Sequence, residues 1–394
     1  MKILKKIKYN NTGRRDILLF GIKIYSYKSK NYKPVDWSPI EQYIKSVLKN
    51  TKSNSKKLVI VPSDPIDAYD KKGQEDLEHY YNPKNMFDLV FVISPIEHGI
   101  SFKHGMHIIG VDKMGDCYKQ ALQLIKPDIV RAYGGYWATE FIVNNRITNC
   151  PIIASVHDKR EECLYDEIKN VDKVICVSET VVDLVKKRGV NKNNIILMYD
   201  RVDRNVFKKV KSNILDKDKY NIVCVARLSP EKNQETIIRA LSILGKKYHC
   251  TFIGQGEPKK YIKLAKSVGV HNQISFIPRV QNSDLPKYYS AANCMCVPSF
   301  CEGFGIVFIE AASCECPVVT SDISPMNIYL KNNHSAMLVK EFTNPNELAK
   351  AIKSVCENNK LSQKLGKNGR KATILFDKKK IESQEAKIYN SLIK

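Results

Sequence analysis

Two pairs of side chains in the C-terminal half of this sequence have types and spacings suited to a charged, hydroxyl-rich ligand. Glu302 and Glu310 stand eight positions apart in SFCEGFGIVFIE, and Arg227 and Lys232 stand five apart in VARLSPEKN. Cys294 to Pro298 reads as a buried strand, Gly303 and Gly305 let the backbone turn tightly, and Ile306 onward reads as helix. Glu302 then lies in the loop and Glu310 on the third helical turn at most. A helix N-terminus presents unpaired N–H groups and a positive dipole end, so a phosphate or polar sugar docks between the two carboxylates, with ribose hydroxyls on one and the sugar on the other. A guanidinium fork and a mobile ammonium on one strand-to-helix turn neutralise a diphosphate, each charge-assisted hydrogen bond contributing roughly 1.5–3 kcal/mol. Spacing alone leaves open an exposed loop acid, a solvated helix face and a pair of surface cations.

Three further loops follow strand-like segments. Gly254 and Gly256 permit close backbone approach to a ligand, but Lys259 occupies the third glycine position of a dinucleotide fingerprint, and a simple tight turn fits as well. His157 ends the strand-like run from Pro151, where strand ends face a cleft; a structural histidine is the alternative. In Tyr133-Gly134-Gly135-Tyr136-Trp137, Tyr133, Gly135, Tyr136 and Trp137 combine open backbone with stacking aromatics, suiting a glycan or plain aromatic packing at a turn. The twelve cysteines include no C-x-x-C pair and no Cys/His grouping at zinc spacing, so they read as reduced, small apolar side chains, and no metal site is expected. Asp216-Lys217-Asp218 has the spacing of a metal-binding pair but sits in a lysine-rich linker.

The elements that must position these residues alternate strand-like and helix-like along the 394 residues. A first series of strands runs Lys57–Ser63, Asp88–Ser94, Asp128–Ala132, Pro151–His157, Lys173–Ser178 and Ile195–Tyr199. A second runs Asn221–Ala226, Cys250–Gly254, Ile274–Ile277, Cys294–Pro298, Pro317–Thr320 and Ala336–Val339. This predicts two Rossmann-like α/β domains with a cleft between them: residues 51–206 and 207–377, preceded by a basic extension, 1–50, and followed by a terminal helix, 378–394, returning to the first domain. The net charge of +23 calls for an acidic partner or surface. Ten of the first 33 residues are lysine or arginine, interleaved with Ile17, Leu18, Leu19, Phe20 and Ile22. That pattern suits an anionic membrane surface, at about 1 kcal/mol per engaged cation, or a solvated extension. Its apolar run is too short to span a bilayer and has no cleavage pattern of a signal peptide.

Taken in order, VARLSPEKN, FIGQGE and ISFIPRVQNSDLPKYYSAANCMCVPSFCEGFGIVFIEAASCECPVVTSD resemble the retaining glycosyltransferases of family 4, which have the two-domain GT-B fold. The likeness is strongest over residues 220–340 and weaker through FDLVFVIS, IIASVHD and KVICVSETV; the stretch RRDILLFGIKIYSYK looks like the openings of bacterial surface-glycan transferases. It implies that Glu310 binds the nucleotide ribose and Glu302 lies against the donor sugar, while Arg227 and Lys232 hold the diphosphate. Phe304 and Gly305 would approach the sugar, as Gly303, Gly254 and Gly256 border the donor, and Pro278, Arg279 and Val280 flank the base. His157 would contact the transferred sugar, and Gly73 is the candidate backbone amide for the phosphates. The activity implied is metal-independent transfer from a nucleotide-diphosphate sugar to a glycan or lipid-linked glycan, with no other cofactor, in surface-polysaccharide or lipopolysaccharide synthesis at the cytoplasmic face of the membrane. The sequence departs from the family at Asp200-Arg201-Val202-Asp203, where Asn-Gly-Val-Asp is usual. A nucleic-acid-binding protein would also account for the charge, but no helix-turn-helix, zinc-finger or RNP pattern is present. A Rossmann NAD-dependent epimerase or oxidoreductase lacks its G-x-G-x-x-G.

Overall fold

The computed structural model describes residues 35–71, 77–147 and 149–393, together with the backbone of three strands before them. Gly73 lies outside the described residues. Lys6–Tyr9, Arg14–Leu19 and Ile22–Lys28 form a three-stranded antiparallel sheet within the basic segment.

Leu58 to Val61, Val90 to Ser94 and Ile129 to Tyr133 are buried at every position, the pattern of strands covered by helices on both faces. They belong to an eight-stranded sheet in the order Ile195–Leu197, Lys173–Cys176, Ile152–Val156, Ile129–Tyr133, Lys57–Val61, Leu89–Ser94, Met106–Gly110, Ile100–Lys103. All neighbours are parallel except the last pair, an edge hairpin. Helix Trp37–Lys49, within the segment set apart as an extension, buries Ile40 and Ile44 in the core of this domain. A second, all-parallel sheet runs Ile274–Ile277, Tyr248–Ile253, Tyr220–Val225, Cys294–Val297, Val318–Ser321, Met337–Val339. Each of the twelve strands expected from the sequence is present, within a few residues at its ends.

The chain crosses between the domains twice at one place. Val202 N–H donates to the Phe376 carbonyl at 2.9 Å and Lys378 N–H to the Val202 carbonyl at 3.0 Å, so the outgoing linker and the returning chain are paired. Helix Lys378–Leu392 then packs Ile381, Ile388 and Tyr389 beside Leu58, Ile60 and Ile153 of the first domain. Strand C-termini of both sheets are thereby held facing one cleft, where open α/β sheets bind ligands.

Candidate active site

Helix Ile306–Ser313 is apolar except at Glu310, its fifth residue, and at its last residue, Ser313, and is buried from Phe308 onward. Gly305 caps it with φ +85°, a left-handed conformation that a side chain resists, and a Cβ there would meet Phe308 Cδ2 at 2.5 Å. No side chain caps this helix, so its first N–H groups keep the donor capacity that an anion uses. Burial pushes the Glu310 carboxyl up to about 8, against the partial relief of a 3.4 Å hydrogen bond donated by Tyr289 Oη.

Lys232 turns inward. Its Nζ donates to Glu302 Oε1 at 2.7 Å, and the same oxygen accepts from Ser299 Oγ at 2.7 Å. The loops that carry this pair are joined by Phe300 N–H donating to the Glu231 carbonyl at 2.8 Å. Arg227, by contrast, is 69% exposed and engages Glu231 Oε1 at 2.8 Å, so the two cations do not converge as their spacing suggested. Gly254 and Gly256 have φ +151° and +132°, and their missing side chains make room for Ala226 and Leu228 of the Arg227 loop rather than for an open ligand path. Leu228 N–H donates to the Gln255 carbonyl at 2.7 Å, fixing the two loops together. Pro278 and Arg279 are exposed and Val280 half-buried, in the loop after Ile274–Ile277.

Gly303 is required by the domain contact. A Cβ there would overlap the backbone carbonyl of His157, and its own carbonyl accepts from Ser178 Oγ at 2.6 Å. Thr180 Oγ1 and Ser324 Oγ, 2.5 Å apart, add a second bond across the cleft. Phe304 is buried against Tyr199, Tyr329 and Phe376, and its carbonyl accepts from Tyr329 Oη at 2.7 Å.

His157, just past the end of Ile152–Val156, faces two adjoining cavities. One, of about 440 Å³, runs between the domains and is lined by His157, Tyr133, Asn282, Ser283, Ile306 and Glu310 among others. The other, of about 310 Å³, lies in the first domain and includes Asp64, Gly135, Tyr136 and Asp158. Trp137 opens helix Trp137–Asn144 and lines neither; nor do Arg227, Lys232 and Glu302. Tyr80 stands in no motif, while Ser178 lies in KVICVSETV and Asn282 and Ser283 in ISFIPRVQNSD, where nothing distinguished them from their neighbours. Asp200 and Arg201 were visible only as a departure from a pattern. Among the described residues, no three His, Cys, Asp or Glu side chains group as metal ligands, and Asp216 and Asp218 lie outside both cavities.

Residues 205–372 match the family described as Glycosyl transferases group 1. Over these residues, fewer than half of the chain, the protein is similar to the group 1 glycosyltransferases. An uncharacterized glycosyltransferase of Methanocaldococcus jannaschii is 23% identical over 316 residues, 76% of this chain and 85% of the relative. A D-inositol 3-phosphate glycosyltransferase of Salinispora tropica is 31% identical, but over 30% of this chain and 28% of its own length. Among solved structures, Anabaena HepE in complex with UDP and glucose superposes with TM-score 0.72 at 19% identity, covering 86% of this chain and 100% of HepE. WaaG, involved in lipopolysaccharide biosynthesis, gives 0.65 at 13% identity, covering 84% and 99%. The two parallel sheets of this chain are therefore the two halves of a GT-B fold.

Proposed function

We propose that the enzyme transfers a sugar from a nucleoside diphosphate sugar to a hydroxyl of a glycan or lipid-linked glycan, with retention at the anomeric carbon, during synthesis of a cell-surface polysaccharide. The observation that carries this reading is the cavity between the domains, which has Glu310 and an uncapped helix N-terminus on one wall and His157 on the other. Glu310 would take the ribose hydroxyls, and the first turn of Ile306–Ser313 the phosphates. Lys232, aimed by Glu302, would meet the negative charge that develops on the departing diphosphate, with Arg227 closing over it from the exposed rim. Tyr133, Gly135 and Tyr136 border the space for the acceptor, with Trp137 next to it in sequence.

Support for a uridine donor comes from HepE, solved with UDP-glucose, and support for a lipid-linked acceptor from a Campylobacter jejuni relative named as an N-acetylgalactosaminyltransferase acting on a diphospho-undecaprenol glycan. That relative is 27% identical over half of this chain and 54% of its own length. No helix among the described residues is long and apolar enough to cross a membrane; the lysines and arginines of the basic segment before residue 35 would bring the enzyme to an anionic membrane carrying such an acceptor. Steady-state kinetics test the assignment of roles: Glu310→Ala is expected chiefly to raise donor KM, and Glu302→Ala chiefly to lower kcat. The reverse split would refute it. Deletion of residues 2–33 is expected to weaken sedimentation with anionic liposomes, and unaltered sedimentation would remove the membrane role.

A further inference from the structure

Asp200 and Arg201 stand where the family has Asn-Gly, and the function proposed above uses neither side chain. Arg201 is clamped. Its Nη1 donates to Glu385 Oε2 at 2.8 Å and its Nη2 to the Tyr80 carbonyl at 2.7 Å, with the guanidinium 4.8 Å from the Tyr80 ring. Glu385 is buried on the terminal helix and is also paired with Arg131, whose Nε and Nη2 donate to Ser155 Oγ at 3.2 and 2.7 Å. The domain linker is thereby fixed between the terminal helix and the first domain, and the residue before Arg201 is presented to the cleft.

That residue is Asp200, whose Oδ1 lies 3.4 Å from His157 Nδ1. A small rotation of either side chain closes this to a hydrogen bond. The opposite nitrogen, Nε2, is buried and has no hydrogen-bond partner. The Tyr133 ring stacks on the imidazole at 6.5 Å and 21°, limiting its tilt. His157 and three tyrosines, Tyr69, Tyr80 and Tyr133, line both cavities, so the imidazole sits where the two meet. A neutral imidazole carries one proton, and a carboxylate facing Nδ1 draws it there and leaves a lone pair on Nε2.

We propose that Asp200 is the positioning residue of His157, holding the proton on Nδ1 so that Nε2 accepts a hydrogen bond from a substrate hydroxyl at the junction of the two cavities. Only the identity of the hydroxyl rests on the sugar-transfer reading; the tautomer does not. The hydroxyl belongs either to the transferred sugar or to the acceptor, and the same chemistry serves both.

Long-range proton–nitrogen NMR of the full chain labelled at histidine nitrogen tests this, with His157→Gln identifying the signals. Wild type is expected to show a protonated Nδ1. Asp200→Asn keeps an oxygen acceptor and should retain both that signal and most of the turnover. Asp200→Ala should shift the proton toward Nε2 and lower turnover at least about tenfold, a loss of about 1.4 kcal/mol. If donor hydrolysis without acceptor falls in parallel, the hydroxyl is on the transferred sugar; if transfer alone falls, it is on the acceptor. A wild-type signal from Nε2–H overturns the proposal without recourse to any variant, as does undiminished turnover in Asp200→Ala. Absence of any nucleotide-sugar turnover in wild type would instead overturn the sugar-transfer reading and leave the tautomer result standing.

Discussion

Replacing Glu310 by glutamine keeps the shape of the side chain and removes an ionisable group from the buried helix Ile306–Ser313. Burial raises this carboxyl from 4.5 to about 8. Between those values the folded protein holds a proton that the unfolded chain releases, so the contribution is fully present below about pH 4.5 and is lost as pH rises to about 8. The slope is about 1.4 kcal/mol per pH unit, and over the whole interval the loss approaches about 5 kcal/mol. Urea unfolding of wild type and Glu310→Gln from pH 5 to 9 isolates the effect as a difference, because all other titrations are shared. The variant should gain on wild type steadily with pH and the gain should level off above 8. Parallel curves would refute the reasoning. Ribose hydroxyls donating to Glu310 favour its ionised form, so nucleotide binding near pH 7 should also release protons, read as a dependence of the binding heat on buffer ionisation enthalpy.

Lys232→Ala should lower turnover at least about tenfold, equivalent to about 1.4 kcal/mol of lost transition-state stabilisation, as measured by nucleoside diphosphate release. Glu385→Ala leaves two guanidiniums facing each other in the interior and should cost about 3–5 kcal/mol of stability, seen as a lowered thermal midpoint. Gly303→Ala places a methyl against the His157 carbonyl and should separate the domain walls, lowering turnover and raising donor KM, whereas wild-type kinetics would show that the cleft does not need this contact.

The sheet strands and the motif loops were legible because parallel strands read as short apolar runs and the glycine turns follow them directly. The edge hairpin Ile100–Lys103/Met106–Gly110 was not. Its turn is His104-Gly105, both at positive φ, and histidine is an uncommon residue there; it is held by a 2.5 Å contact from Nε2 to Asp70 Oδ1, which no local pattern reveals. The same limit applies at the site. Glu302 and Lys232 were each visible, but their pairing joins loops 70 positions apart. Gly303 was read as a turn residue, and its close contact with His157 exists only once the domains meet. The Arg131–Glu385–Arg201 cluster, which gives the side chain at residue 201 its partner, assembles from a first-domain strand, the interdomain linker and the returning terminal helix.

The most direct measurement is NMR of the anomeric proton during turnover of uridine, guanosine and adenosine diphosphate sugars by the purified chain, with water or a glycan as acceptor. One donor class should be consumed, the nucleoside diphosphate released, and the first-formed product should keep the anomeric configuration of the donor. Inverted product, or no release from any of the three, would contradict retaining transfer at this cleft.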